Sequence, residues 1–169
     1  MPQNTPQNTF METLPPVCTD SEGILAAVVL AKKALATRDI PVGALLCDPK
    51  GYVVGWGVNQ REALNDPTAH AELTALKMAA LRLGRWRLND LTCYVTLEPC
   101  PMCASALFQA RVGAVVFGAY DAVMGAAGSR YNLLAPKPGH GGGSPVPRVT
   151  GGVHEAACVA LLQDVFTRE

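Results

Sequence analysis

The chain has 169 residues, enough for one domain with a central sheet and covering helices and too few for a second full domain. Hydrophobic residues make up 49% of it against 17% charged, which excludes a wholly disordered chain. Formal charge is zero, so composition supplies no general pull toward polyanions, and a nucleic-acid partner requires a local basic surface.

Residues 1–20 are rich in Pro, Gln, Asn and Thr and lack the basic start and apolar core of a secretory signal. They read as a flexible N-terminal extension, with residues 21–169 as the folded domain. The most apolar run, "ILAAVVLA" at 24–31, ends at Lys32 and Lys33, far short of the roughly twenty residues that span a bilayer. No membrane segment is predicted, and a cytoplasmic location is expected.

"SEGILAAVVLAKKALATR" predicts a helix capped at Ser21, with Glu22 in its first turn, that stops at Asp39-Ile40-Pro41. Its apolar residues occupy most of the circumference, which suits a helix packed on a sheet. The short apolar runs at 41–48 and 51–59 predict two antiparallel strands joined through Asp48-Pro49-Lys50-Gly51. A helix follows over about 67–83, with Asp66 as its cap and Pro67 at its first position. Next come a strand at about 92–97, a short helix at about 101–110 opened by Pro101, and a strand in "VGAVVFGAY". Strand, helix and strand in that order require a parallel crossover, hence an α/β fold with a mixed sheet covered on its faces. The Gly- and Pro-rich stretch 121–148 reads as loop with one short helix around Ser129 to Leu134, and "VHEAACVALLQDVF" at 153–166 closes the chain as an amphipathic helix. "HGGGSP" at 140–145 reads as a flexible loop, since an oxyanion loop would need a positioned nucleophile and its base.

Six cysteines stand at 18, 47, 93, 100, 103 and 158. Cys47, Cys93 and Cys158 lie in apolar contexts and read as small buried residues. Cys100 and Cys103, in "EPCPMC", are spaced for a shared ligand and fall on one side of the helix that Pro101 opens. Free amides at that helix start favour the thiolate form that binds metals. Upstream, "DPTAHAEL" sets His70 and Glu72 two residues apart. Helical periodicity turns such a pair about 200° apart, so spacing alone does not bring them together.

Two thiolates and one imidazole make a tetrahedral zinc site with an open fourth position, the catalytic arrangement, and leave Glu72 free to move protons. A redox-active CxxC or a closed structural zinc site are the competing readings. His140 and His154 could supply a fourth ligand, but each reads more simply as exposed. His-x-Glu followed by Pro-Cys-x-x-Cys is the pattern of zinc nucleobase deaminases, and it outweighs both.

"DPTAHAE", "VTLEPCPMC", "ALFQARVGAVVFGAYD", "GAAGS" followed by "NLL", and "VTGG" resemble the bacterial tRNA adenosine deaminases of the cytidine/deoxycytidylate deaminase superfamily, in order from about residue 21 to the final helix. The resemblance implies a cytidine deaminase-like three-layer sandwich with a five-stranded mixed sheet flanked by helices. It implies one Zn2+ per subunit on His70, Cys100 and Cys103, with hydroxide attack at C6 and Glu72 as proton shuttle. It implies conversion of adenosine to inosine at the wobble position of an arginine tRNA, by a homodimer that binds the anticodon loop. By the same matching, Asn59 hydrogen-bonds the nucleotide, Ala71 places a main-chain amide beside the base, and Asp121 touches the anticodon loop. Arg130 and Tyr131 fall in the segment similar to the anticodon-contacting region.

This sequence departs from the family at two places. Many relatives carry a lysine two positions after the aspartate, where this chain has Val123, and often a basic C-terminal stretch, where it ends "QDVFTRE". Both changes remove positive charge where a phosphate backbone would run. Arg82, Arg85 and Arg87 around Trp86, with "QAR" at 109–111, are candidates to replace it, or else a solvated helix end. The competing functions are a deaminase of free guanine, cytosine or nucleosides, and a non-catalytic RNA-binding subunit, against which the retained Glu72 argues.

Overall fold

In a computed structural model of the chain, which describes residues 14–135 and 145–166, alternation along the strands sorts the interior into two cores. The sheet has five strands in the order β2-β1-β3-β4-β5. These are β1 (Gly43–Cys47), β2 (Val53–Val58), β3 (Thr92–Leu97), β4 (Ala114–Ala119) and β5 (Arg148–Thr150). β1 pairs antiparallel with β2 and β3, whereas β3–β4 and β4–β5 are parallel. On one face Leu46, Val54, Cys93, Val95, Val115 and Phe117 pack under helices α3 (Ala71–Leu83) and α4 (Pro101–Gln109). On the other, Leu45, Trp56, Tyr94 and Val116 pack under α1 (Asp20–Ala31) and Cys158 of α5 (Glu155–Phe166). Helices on both faces of a mixed five-stranded sheet give the expected sandwich.

The Asp48–Gly51 hairpin forms as predicted. The Asp48 carboxylate accepts from the Lys50 and Tyr52 amides, and Gly51 takes the positive φ of 85° that the turn needs. Cys47, Cys93 and Cys158 are buried, as their apolar neighbours predicted. Among the described residues no helix is long and apolar enough to cross a membrane.

Four local expectations need correction. The cap of α1 is Thr19 rather than Ser21: Thr19 Oγ1 accepts from the Glu22 amide while Glu22 Oε2 accepts from the Thr19 amide, a reciprocal box. Helix α1 ends at Ala31 and a 3-10 turn, Lys32–Thr37, carries the chain to Arg38. Helix α3 starts at Ala71, because Asp66 folds its carboxylate onto the Thr68 amide and hydroxyl and so closes a turn before the helix. No helix forms around 129–134, where the chain makes turns and a bridge between Ala127 and Asn132. The residues themselves gave no sign of β5, three residues long, which is held by its pairing with β4. Most of "HGGGSP", including His140, lies outside the described residues.

Glycines at 55 and 57 bring β2 against α3. A Cβ at Gly55 would overlap the Ala75 carbonyl and one at Gly57 the Ala71 carbonyl, so only glycine admits the helix this close. That contact fixes where the N-terminus of α3 lies.

Candidate metal centre and substrate cleft

The later start of α3 resolves the spacing of His70 and Glu72. His70 is the N-cap, with extended φ −79° and ψ 150°, and Glu72 lies in the first turn. The 200° separation of two helical residues therefore does not apply, since one of them precedes the helix. Cys100 occupies the same position in α4, as N-cap with φ −70° and ψ 170°, followed by Pro101 in the first turn.

These two helix starts converge. His70 Nδ1 lies 3.5 Å from Cys103 Sγ and 3.7 Å from Cys100 Sγ, and the three donor atoms are all within 4.8 Å of one another. Their chemistry fits zinc. Hydrogen bonding by the Cys103 thiol, with further help from His70 and the Cys103 amide, lowers the Cys100 thiol to about 4 despite burial. The same thiol hydrogen bond, with burial, raises Cys103, and the hydrogen bond to Cys100 raises His70. The donors thus share protons where a cation would replace them.

Glu72 is 4% exposed and lies beside the metal donors. Burial raises its carboxyl to about 6.

His70, Ala71, Glu72 and Cys100 line an open cleft of about 290 Å³, together with Asn59, Arg61, Glu98, Asp121 and apolar Ile40, Val42, Leu97 and Met124. Asn59 is buried; its Nδ2 donates to the Ile40 carbonyl at 3.1 Å, while its Oδ1 has no partner. A buried acceptor without a partner, on a residue that lines the cleft, calls for a donor from the ligand. Asp121 also faces the cleft, with its Oδ1 accepting from the Val123 and Met124 amides. Arg130 and Tyr131 are exposed on the next turn and are not among the lining residues. His154 is exposed and bonds Ser21 Oγ at 2.6 Å, outside the donor cluster.

Two organising carboxylates escaped the sequence reading. Glu98, 2% exposed, accepts through Oε1 from the Ala127 and Ser129 amides and through Oε2 from the Asp121 amide, each at 3.0 Å, and from the Ser129 hydroxyl. One side chain thereby shapes the whole turn from Asp121 to Ser129. Asp39, 1% exposed, accepts from the Thr37 hydroxyl and from the Glu62 and Ala63 amides at the start of α2 (Arg61–Leu64), which holds Arg61 at the cleft. The only cue to Glu98 is a charge closing the apolar run of β3. Asp39 offers none, because the Glu62 and Ala63 amides it holds lie more than twenty residues away.

Sheet order and donor set define a zinc-dependent deaminase fold. The chain belongs to the cytidine and deoxycytidylate deaminase superfamily, whose zinc-binding region matches residues 18–119. Within it the chain is closely related to the bacterial tRNA-specific adenosine deaminases. It is 41% identical over 150 residues to the one from Haemophilus influenzae, across 88% of this chain and 84% of that protein. A solved structure from work on A-to-I editing by tRNA:A34 deaminases at the wobble position superposes with a TM-score of 0.76 at 35% identity, covering 83% of this chain and 99% of that one. The tRNA(Ile)-lysidine synthase of Deinococcus deserti is 43% identical over 140 residues, 83% of this chain, and the chain spans 25% of that protein's length.

Proposed function

We propose that the chain hydrolyses adenosine to inosine at the wobble position of a tRNA, an arginine tRNA in the first instance. The observation that carries this reading is the histidine and two cysteines gathered beside a buried acid, on a cleft whose Asn59 acceptor still lacks a donor. His70, Cys100 and Cys103 would hold zinc, which when bound supplies a water of near-neutral pKa.

Every other part is played by the protein. Glu72, buried next to the donors, takes a proton from the attacking water and delivers it to N1 of adenine. A second delivery goes to the amino group at C6, which leaves as ammonia. Asn59 Oδ1 accepts from a hydroxyl or N–H of the nucleotide, and the Ala71 amide, the first of α3 and without an intrahelical acceptor, faces the base. Asp121, on the turn held by Glu98, meets the neighbouring loop nucleotides, with Arg130 and Tyr131 farther along the same surface. A loop nucleotide suits this cleft because it can splay out without breaking a base pair.

The test is inosine formation in transcribed arginine-tRNA anticodon stem-loops, run beside free adenosine, guanine and cytidine. Conversion of the stem-loop alone is expected, and turnover of a free base or nucleoside instead would replace the substrate. A homodimer in the cytoplasm belongs to the same proposal and is checked by sedimentation of the zinc-loaded protein.

A further inference from the structure

We propose that the arginines gathered on Trp86 bind phosphates in the stem of the RNA whose loop enters the cleft. This rests on the RNA substrate of the preceding section. Trp86 is 54% exposed, just past the end of α3. Arg87 Cζ sits over its ring at 4.4 Å and Arg111 Cζ, from the turn after α4, at 5.6 Å. One indole thus holds two guanidiniums from separate segments, with Arg82 exposed on the last turn of α3. Such stacking orders a planar fork before any ligand arrives and so reduces the entropy lost on binding.

The nearby acid is already committed. Asp90 takes a forked pair of bonds from Arg85, at 2.6 and 2.7 Å, and Arg85 also donates to the Arg87 carbonyl. The ion pairs among the described residues use Arg85 and Arg148, which leaves Arg82, Arg87 and Arg111 without a carboxylate. In a chain of zero formal charge this is a local cationic surface, and guanidinium forks match phosphate oxygens.

Placement identifies the ligand further. α3 and α4 both start at the metal centre and both end at this surface, where the Leu88 amide donates to the Ala110 carbonyl at 2.8 Å. At 1.5 Å per residue the two helices put it roughly 13–20 Å from the donors. A nucleoside in the cleft does not reach so far, whereas a stem-loop does. The surface therefore replaces charge that Val123 does not provide.

The test uses the full zinc-loaded chain and an anticodon stem-loop, with affinity measured by fluorescence anisotropy across salt concentrations. The variant combines Arg87→Glu with Arg111→Asn, asparagine being suited to the positive φ of 60° at 111. Loss of about tenfold in affinity and a salt slope shallower by about two are expected, one per lost phosphate contact. A second variant, Arg87→Lys with Arg111→Lys, keeps the charge and should restore the slope. Zinc content and melting temperature, unchanged in both, exclude a folding defect. Wild-type affinity and slope in the first variant would overturn the proposal and point to a protein partner or plain solvent exposure for this surface. Failure of the wild-type chain to bind the stem-loop would instead sink the RNA reading itself.

Discussion

Replacing Glu98 by Gln changes one carboxylate oxygen to an amide nitrogen with almost no change of shape, so the outcome follows from counting donors. The least costly orientation keeps oxygen at Oε1, where the Ala127 and Ser129 amides still donate. The new NH2 then stands at Oε2, where the Ser129 hydroxyl can rotate and accept from it. The Asp121 amide cannot adapt and is left facing a donor. One lost charge-assisted bond with its donor left unpaired costs about 2–3 kcal/mol. For a chain of this size that is a fall in melting temperature of about 4–12 °C. Thermal unfolding of zinc-loaded Glu98→Gln measures the total, and amide hydrogen exchange locates it, with faster exchange at Asp121 and little change at Ala127. A melting temperature equal to wild type, with Asp121 exchange unaltered, would refute the idea that this carboxylate holds the turn.

Glu72→Gln should retain zinc by metal analysis yet lose about 10²–10⁴ in turnover, the usual worth of a positioned acid–base group; full activity at unchanged metal content would remove its assigned role. Chelated protein gives a pH test of the same residue. Its folded carboxyl is raised to about 6 from 4.5, so the folded state favours the protonated form and loses stability as pH rises through this range. Zinc-free wild type should therefore lose about 2 kcal/mol relative to zinc-free Glu72→Gln between pH 4 and 7, and parallel stability curves would contradict the burial argument. Cys100→Ala should lose metal and activity together, so wild-type zinc occupancy in that variant would disprove the ligand set. Gly57→Ala places a methyl on the Ala71 carbonyl and 2.7 Å from Thr74 Cβ, which should cost about 1–3 kcal/mol and weaken zinc in chelator competition; unchanged zinc affinity would mean the helix start is free to shift.

What could be read from the residues was whatever local chemistry decides. Short apolar runs and the Asp48–Gly51 turn announce β1 and β2, and Pro101 announces the start of α4 beside its cysteines. The start of α3 was misplaced because Asp66 can cap a helix or close a turn with the same carboxylate, and the chain uses the turn. β5 has no local signal, since three residues between Gly- and Pro-rich stretches become a strand only beside β4. The 121–129 turn was equally hidden: Glu98 claims the amides at 127 and 129, and no pattern within that stretch reveals an acceptor thirty residues earlier. The donor trio was legible as residue types at a spacing, whereas the open Asn59 oxygen became visible only once its neighbours were in place.

Two of the three donors stand one residue ahead of a helix rather than on its flank. Twisting either helix about its own axis would hardly disturb them, but sliding one lengthwise would pull the trio apart. Small residues deep under the helices, such as Ala75 and Ala79 against β2, act as stops against that slide. Enlarging them should therefore loosen metal through a shaft pushed along its length, far from any coordinating atom.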